Sequence, residues 1–86
     1  MANVFALEIV TPDKTFYNGN AEMIVVRTTE GDRGILKNHR PLVAGLETGT
    51  LRIKLDGKFK DAKVSGGFMN VDKEKTVIVT ESAEWI

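Results

Sequence analysis

Apolar and polar residues alternate with a period of two in several segments of this chain, and this spacing constrains the fold more than any other feature. Three apolar residues alternate with three polar ones from Leu51 to Asp56, and the segment from Thr76 to Thr80 also alternates with a period of two. Successive side chains of a strand point to opposite faces of a sheet, so the pattern predicts strands with one buried face. No segment of ten or more residues fits one face of a helix better than a strand.

Turn-forming residues separate these segments at short intervals. Proline, glycine, asparagine and aspartate favour turns because each suits a backbone geometry that strands avoid. Many short strands between closely spaced turns are typical of a β-sandwich or flattened barrel. An all-β fold in a single domain covering residues 1–86 is therefore expected. The predicted turns are at Thr11–Asp13, Asn18–Asn20, Glu30–Asp32, Asn38–Pro41, Asp56–Gly57 and Asp72–Glu74.

The pair Asp56–Gly57 is the sharpest of these turn signals. A two-residue hairpin turn here, with positive φ at both positions, places Phe59 opposite Lys54. A three-residue loop with a bulge pairs Phe59 with Leu55 instead. The residues leave both registers open.

Two predicted strands, in the segments 4–10 and 23–26, are apolar on both faces. A two-layer sandwich needs only one apolar face per strand. Either these are central strands whose ends are covered by loops, or one outer face docks on a partner. Ser65–Gly67 interrupts another strand-like run, which indicates a bulge or the close approach of a second backbone. A phosphate-binding loop there would need more glycines and a following helix.

Composition argues against several classes of function. Twelve basic and twelve acidic residues cancel, whereas nucleic-acid binding needs an excess of Lys and Arg. No apolar run approaches the roughly 18 residues that span a bilayer, and we expect no insertion into lipid.

The chain has no cysteine, so a metal site at the single histidine, His39, would have only carboxylates to complete it. Neither Ser65 nor Ser82 lies in a nucleophile motif. We expect no catalytic residue, metal or cofactor, and we expect His39 to be the corner of a structural loop.

Four segments carry a resemblance that covers nearly the whole chain. They are FALEIVTPDKTFYNGNAEMIVVRTTEGDRGIL, EGDRGILKNHRPLVAGLETGTLRIK, VSGGFMNV and TVIVTESAEW. Together they resemble the N-terminal domain of the epsilon subunit of F-type ATP synthases. The chain departs from the family at Lys37, where many members have proline, and at Arg40, where many have a small residue.

This resemblance implies a ten-stranded β-sandwich that does no chemistry. It implies a place in the central stalk between the gamma subunit and the c-ring, at the cytoplasmic face of a bacterial cell membrane, where the stalk couples ion translocation to ATP synthesis. In that family two C-terminal helices follow the sandwich. Inhibition of ATP hydrolysis depends on them, as does the nucleotide binding of some members, so neither is expected of this chain alone. The alternative is a free-standing β-sandwich that binds a peptide or small ligand.

Three sets of partner-contact residues follow from the resemblance and from the doubly apolar first strand. A polar, exposed loop is expected to face the c-ring and consists of Glu30, Gly31, Asp32 and Arg33. A second loop is expected to contact a partner and consists of Asn38, His39, Arg40, Pro41 and Leu42. The outer face of the first strand is expected to contact the gamma subunit through Val4 and Val10.

Overall fold

The computed structural model describes residues 3–86, which form ten β-strands and no helix. The prediction of an all-β, ten-stranded fold is therefore confirmed. Within these residues there is no helix long and apolar enough to cross a membrane. The strands are β1 (Phe5–Val10), β2 (Thr15–Ala21), β3 (Met23–Thr28), β4 (Gly31–Leu36), β5 (Leu42–Leu46), β6 (Gly49–Leu55), β7 (Lys58–Val64), β8 (Gly67–Val71), β9 (Lys75–Thr80) and β10 (Ala83–Trp85).

The strands form two layers that are joined at one point. Nine of them follow edge to edge in the order β10-β7-β6-β3-β5-β8-β9-β1-β2, and β4 pairs with β3 on its other side. In the described residues, the ladder between β3 and β5 is the single pair Thr28–Leu46, flanked by bonds from the Thr29 amide to Gly45 and from the Glu47 amide to Arg27. We call β10-β7-β6-β3-β4 sheet I and β5-β8-β9-β1-β2 sheet II. Neighbouring strands run antiparallel, except that β1 and β9 are parallel.

The core lies between the inner faces of the two sheets. Every second residue of the longer strands is buried there, as the period-two pattern predicts. Burying one Leu or Ile side chain contributes about 1.5–3 kcal/mol, so these positions supply most of the stabilisation of so small a core. The largest fully buried apolar side chains are Leu7, Ile9, Ile24, Val26, Ile35, Leu51, Met69 and Ile78.

The β6–β7 hairpin adopts the first of the two registers considered from the sequence. Asp56 and Gly57 have φ values of 55° and 75°, as a two-residue turn of the primed type requires. Lys54 lies opposite Phe59, and the Arg52 guanidinium lies 4.2 Å from the centre of the Phe59 ring. The structure therefore selects the two-residue turn over the three-residue loop with a bulge.

The Ser65–Gly67 segment marks a close approach of two backbones, which was one of the two expected explanations. A Cβ on Gly67 would lie 1.9 Å from the carbonyl oxygen of Val79, so only glycine fits. Next to it, the buried Thr80 hydroxyl donates to the Ser65 carbonyl oxygen at 2.7 Å. It also lies 3.2 Å from the Ser82 carbonyl oxygen. Thr80 thus ties the β7–β8 connection to the β9–β10 connection.

One predicted turn is wrong. Asn18–Asn20 lies inside β2, where the register with β1 places Gly19 opposite Leu7. A Cβ at Gly19 would lie 3.6 Å from the Tyr17 ring, an ordinary van der Waals distance, so packing does not require glycine at this position. Pairing of β2 along the whole length of β1 therefore outweighs the local preference of Asn18–Asn20 for a turn.

Between β10 and β2, the terminal strands of the strand order, the layers are closed by side chains rather than by backbone pairing. We call this gap, with the adjoining edge of β7, the seam. The Phe16 and Trp85 ring centroids lie 4.5 Å apart, and the Tyr17 ring meets Trp85 edge-on at 6.1 Å. The flattened barrel is therefore closed at one end of the seam by three aromatic rings.

Candidate docking surfaces

The segment expected to face the c-ring is a tight turn followed by a strand, not a loop. Thr29 and Glu30 form the turn, and Gly31 begins β4. The Thr28 hydroxyl accepts a hydrogen bond from the Glu30 amide at 3.1 Å and donates to the Gly31 carbonyl oxygen at 2.6 Å. These bonds tighten the connection to two residues, so the expected loop conformation of Gly31, Asp32 and Arg33 is wrong.

The charges at this turn are exposed and partly paired within the domain. Asp32 lies opposite Arg27 across the β3–β4 ladder, and its Oδ1 is 3.3 Å from the Arg27 Nε. Glu30 is exposed, whereas Arg33 is partly buried. Exposed ion pairs contribute only about 0–1 kcal/mol, so Asp32 can exchange Arg27 for a charge on a partner at little cost.

The loop between β4 and β5 has the geometry expected of it. Asn38 has a φ of 68°, in the left-handed region that asparagine tolerates. The His39 Nδ1 lies 2.7 Å from the Arg40 carbonyl oxygen, which can only accept, so the ring donates there. The His39 amide donates to the Leu36 carbonyl oxygen at 3.2 Å. His39 is therefore held as the corner of a loop by its own neighbours. Pro41 is exposed, and Leu42 begins β5.

A metal site was considered for His39 on sequence grounds. In the range 3–86 no group of three or more His, Asp or Glu side chains is placed to hold a metal ion. One ring contact, from Nδ1 to the Arg40 carbonyl oxygen, and one bond of the His39 backbone amide to the Leu36 carbonyl oxygen hold this residue within its own loop.

The two predicted partner-contact segments lie at opposite ends of one strand. Gly31 and Leu36 are the first and last residues of β4, and a six-residue strand spans roughly 17–20 Å. His39 instead lines a cavity of about 160 Å³ with Val4 and the β8–β9 turn, residues 72–74. The structure therefore groups His39 with Val4 and separates both from Asp32.

The outer face of sheet II carries apolar side chains from four adjacent strands. Strand register places Phe68 of β8 beside Val79 of β9, and Val79 beside Val10 of β1. Phe68 is 48% exposed, and Val43 on the neighbouring strand β5 is 71% exposed. We call this surface the apolar face, and it consists of Ala6, Val10, Val43, Phe68, Val77 and Val79. Val10 therefore lies within an apolar patch, as the doubly apolar β1 suggested.

Sequence reasoning missed four residues of the apolar face, namely Val43, Phe68, Val77 and Val79. Val77 and Val79 could have been found, because Val77–Val79 is apolar on both faces of its strand. Val43 and Phe68 could not, since their position beside Val10 depends on pairing between strands that are distant in the sequence.

The outer face of sheet I is charged by comparison. Arg52 Nε lies 3.1 Å from Asp61 Oδ1, and the Lys54 ammonium lies 5.9 Å from the Phe59 ring. The second doubly apolar strand, β3, has its outward Met23 and Val25 partly buried beneath this layer. Only one of the two doubly apolar strands therefore contributes to an exposed apolar patch in the described residues.

Comparison with known proteins places this sandwich in a family. A family model described as the β-sandwich domain of the ATP synthase delta/epsilon chain matches residues 4–86. The chain belongs to this family. Proteins named ATP synthase epsilon chain are 53% identical in Alkaliphilus oremlandii and 48% identical in Brevibacillus brevis. The matches cover 99% and 91% of this chain, but only 63% and 60% of the relatives. The chain thus spans about three-fifths of the length of these relatives.

Two solved structures from ATP synthase assemblies contain chains with the same fold. A chain of the Euglena gracilis mitochondrial ATP synthase, in an OSCP/F1/c-ring assembly, superposes with a TM-score of 0.91 at 27% identity. The match covers 99% of this chain and 55% of that one. A chain from the central stalk and c-ring of the Tetrahymena thermophila enzyme superposes with a TM-score of 0.79 at 20% identity, which shows the shared fold.

Within this delta/epsilon-type domain, the candidate surfaces are therefore three. They are the apolar face, the β3–β4 turn with Asp32, and the β4–β5 loop with His39. The first and third adjoin, because Pro41 and Leu42 line one shallow cavity together with Val43.

Proposed function

We propose that this domain is a non-catalytic part of the rotor of an F-type ATP synthase, at the cytoplasmic face of a bacterial cell membrane. In this role it links the gamma subunit to the c-ring, so that ion translocation is coupled to ATP synthesis. Family membership over residues 4–86 supports this role over that of a free-standing peptide-binding module. The observation that carries it is the apolar face, where the exposed Val43 and Phe68 adjoin partly buried valines on a domain whose core is already complete.

The gamma subunit is the proposed partner of the apolar face. Phe68, Val79 and Val10 lie side by side on adjacent strands, so their side chains form one continuous row. Isolated monomers seldom expose contiguous apolar patches of this kind unless a partner covers them. One ion pair lies within the same face, since Glu8 lies between Ala6 and Val10 on β1 and its Oε1 is 2.9 Å from the Lys75 Nζ. Protein interfaces combine apolar side chains with some polar and charged ones in this way.

Aspartate substitutions on the apolar face test this proposal. Val43→Asp and Phe68→Asp each place a charge where the partner would exclude water, and we expect each to weaken gamma binding by about tenfold or more. Val10→Asp should act in the same direction. Isothermal titration calorimetry with purified gamma subunit measures the effect, and circular dichroism checks that each variant remains folded.

The matched control is Phe59→Asp, which changes a similarly exposed phenylalanine (43% exposed) on the outer face of sheet I, away from the apolar face. Its gamma affinity should equal that of the unchanged domain. If Val43→Asp and Phe68→Asp bind as tightly as Phe59→Asp, gamma does not cover this face.

The c-ring is the proposed partner of the β3–β4 turn. Asp32 and Glu30 are exposed there, and the exposed pair between Asp32 and Arg27 can open at little cost. Charge-assisted hydrogen bonds to polar c-ring loops would suit this turn. The turn lies at the far end of β4 from His39, which leaves the β4–β5 loop to contact gamma at the border of the apolar face.

A further inference from the structure

One polar residue, Asn70, interrupts the apolar face. It lies opposite Val43 in the β5–β8 ladder and opposite Val77 in the β8–β9 ladder. Directly opposed residues of antiparallel strands have their side chains on the same face of the sheet, so the Asn70 side chain lies between these two valines. Phe68 and Asp72 are the residues two positions before and after it in the chain. Three residues of the apolar face therefore surround one primary amide.

The burial pattern of β8 shows that Asn70 points outward. Met69 and Val71 are buried, whereas Phe68 and Asn70 are exposed. Asn70 also lines the shallow cavity of about 500 Å³ that extends to Pro41. The amide therefore lies where the apolar face meets the β4–β5 loop, and these are the two surfaces proposed to contact gamma.

The polar side chains of this surface differ in how they are satisfied. The Glu8 carboxylate is paired within the domain, with Lys75. The Asn70 amide instead faces solvent, and it carries two N–H donors and a carbonyl acceptor. A partner that covers the face excludes water from this amide, and a buried amide without hydrogen bonds is costly. Such a partner must therefore supply hydrogen-bonding groups to Asn70.

Apolar contacts alone leave the position of a partner on this face weakly determined, because the hydrophobic effect has no direction. Val77 and Val79 repeat the same side chain two residues apart on β9, and a strand rises about 7 Å over two residues. A partner displaced by that distance along β9 would exchange one valine for the other. On β8 the same displacement replaces Asn70 by Phe68, which offers no hydrogen bond. A single polar residue in an apolar interface fixes the alignment of coiled-coil helices in this way.

We propose that Asn70 determines how the gamma subunit is positioned on the apolar face. Its amide exchanges hydrogen bonds with a group of gamma that offers both an acceptor and a donor, as a backbone peptide group does. This inference rests on the proposed contact between gamma and the apolar face, and it adds a residue that contributes specificity rather than apolar area.

The variant Asn70→Leu tests the proposal through the sign of its effect. Leucine is similar in size to asparagine, and it adds apolar area, so binding that depended on apolar area alone would become tighter. We expect the variant to bind gamma about tenfold more weakly, because polar groups of gamma lose their partner. Calorimetry with purified gamma measures the affinity, and urea unfolding of the free domain checks that its stability is unchanged. Affinity equal to or higher than that of the unchanged domain would overturn the proposal.

Comparison with Val43→Asp separates this inference from the proposed function. Weak binding by Val43→Asp together with full affinity of Asn70→Leu would overturn only the role of Asn70. Full affinity of both variants would overturn the gamma contact and this inference with it. The matched control is Thr50→Val, which removes a polar group from the exposed outer face of sheet I and should leave the affinity unchanged. An equal loss in this control would mean that the effect is not specific to the apolar face, and it would overturn the assignment.

Cross-linking tests the positioning role directly. The chain has no cysteine, so Lys73→Cys, at an exposed position that lines the same cavity as Asn70, gives a unique attachment point for a benzophenone maleimide. After illumination of the complex, mass spectrometry should find one short segment of gamma attached to this position. With Asn70→Leu added, at concentrations that saturate binding, the attachment should spread to further segments of gamma. Attachment to the same single segment in both proteins would overturn the positioning role.

Discussion

At Gly67 the backbone of β8 lies against that of β9 with no space for a side chain. A Cβ there would lie 1.9 Å from the Val79 carbonyl oxygen and 2.9 Å from the Thr80 Cα. Both are backbone atoms within a paired strand, so neither can move without breaking the ladder. The preceding Gly66 is less restricted, since its Cβ would lie 3.2 Å from the Leu46 carbonyl oxygen.

We expect Gly67→Ala to lower the free energy of unfolding by about 3 kcal/mol or more, because overpacking of a rigid backbone contact is not relieved by side-chain movement. Gly66→Ala is the matched control and should cost about 1 kcal/mol. Urea unfolding followed by Trp85 fluorescence measures both. Similar losses for the two variants would mean that β8 and β9 separate easily at this point.

The local conformations of single residues were predictable from the sequence when they depend on neighbours in the chain. The positive φ of Asn38 belongs to this class, whereas positive φ at both Asp56 and Gly57 was expected for only one of the two hairpin registers considered. The role of Gly67 was predicted only as one of two alternatives, because the backbone that approaches it comes from another strand.

Among the elements, the seam differs from every other strand boundary because aromatic side chains hold it. Tyr17 contributes its ring to the Trp85 contact and donates its hydroxyl hydrogen to the Asn20 carbonyl oxygen at 2.6 Å. Burial raises the pKa of the Tyr17 hydroxyl above its ordinary value of 10.0. The folded state therefore retains this proton to a higher pH than the unfolded chain does.

This pKa difference predicts a loss of stability at alkaline pH. Above pH 10.0 the unfolded chain loses the Tyr17 proton first, so the free energy of unfolding falls as the pH rises toward the folded-state pKa. Below pH 10.0 the group contributes no pH dependence. Tyr17→Phe should remove this part of the alkaline loss, although it lowers stability near neutral pH by about 1 kcal/mol through the missing hydrogen bond.

Urea unfolding of the unchanged domain and of Tyr17→Phe, from pH 8 to pH 12, gives the free energy of unfolding of each as a function of pH. The titration of the lysines affects both proteins equally, so it cancels in the difference between the two curves. Parallel curves across the whole range would contradict the assignment to Tyr17.

The alternation of buried and exposed residues within each strand was also predictable, but the number of residues in each turn was less so. The β3–β4 connection was expected to be a loop extending to Arg33. Hydrogen bonds of the Thr28 hydroxyl shorten it to two residues. Such bonds depend on a strand pair that must already be in register, and composition does not reveal that.

On the scale of the whole molecule, the two predicted contact segments are separated by the length of β4. In the proposed assembly the β3–β4 turn contacts the c-ring, whereas the apolar face and the β4–β5 loop contact gamma. Substitutions can therefore change one contact without changing the other. Asp32 and His39 therefore belong to different interfaces in the proposed assembly.

Exchanging the charges at the turn, with Asp32→Arg and Arg33→Asp together, should weaken association with the c-ring by about tenfold and leave gamma binding unchanged. Co-sedimentation with detergent-solubilised c-rings and calorimetry with gamma measure the two affinities. The matched control reverses charge at the other end through Lys37→Glu and Arg40→Glu, which should spare the c-ring. Loss of both affinities in the turn variant would contradict this separation.

What the sequence could not supply at this scale is the pairing of distant strands. The count of ten strands was implied by the family resemblance, whereas the fold class was predictable from periodicity and turns. The apolar face was not, because Val10 and Phe68 come together only through the β1–β9 and β8–β9 registers.

The parallel pairing of β1 with β9 also bears on how the chain folds during synthesis. Strand β1 can form a hairpin with β2 as soon as both have left the ribosome, but its other edge has no partner until β3 to β8 and then β9 have been translated. Contacts between such distant segments slow folding. During that interval β1 presents both an open edge and an unshielded hydrophobic surface, so we expect nascent chains of this domain to depend on chaperones until β9 emerges.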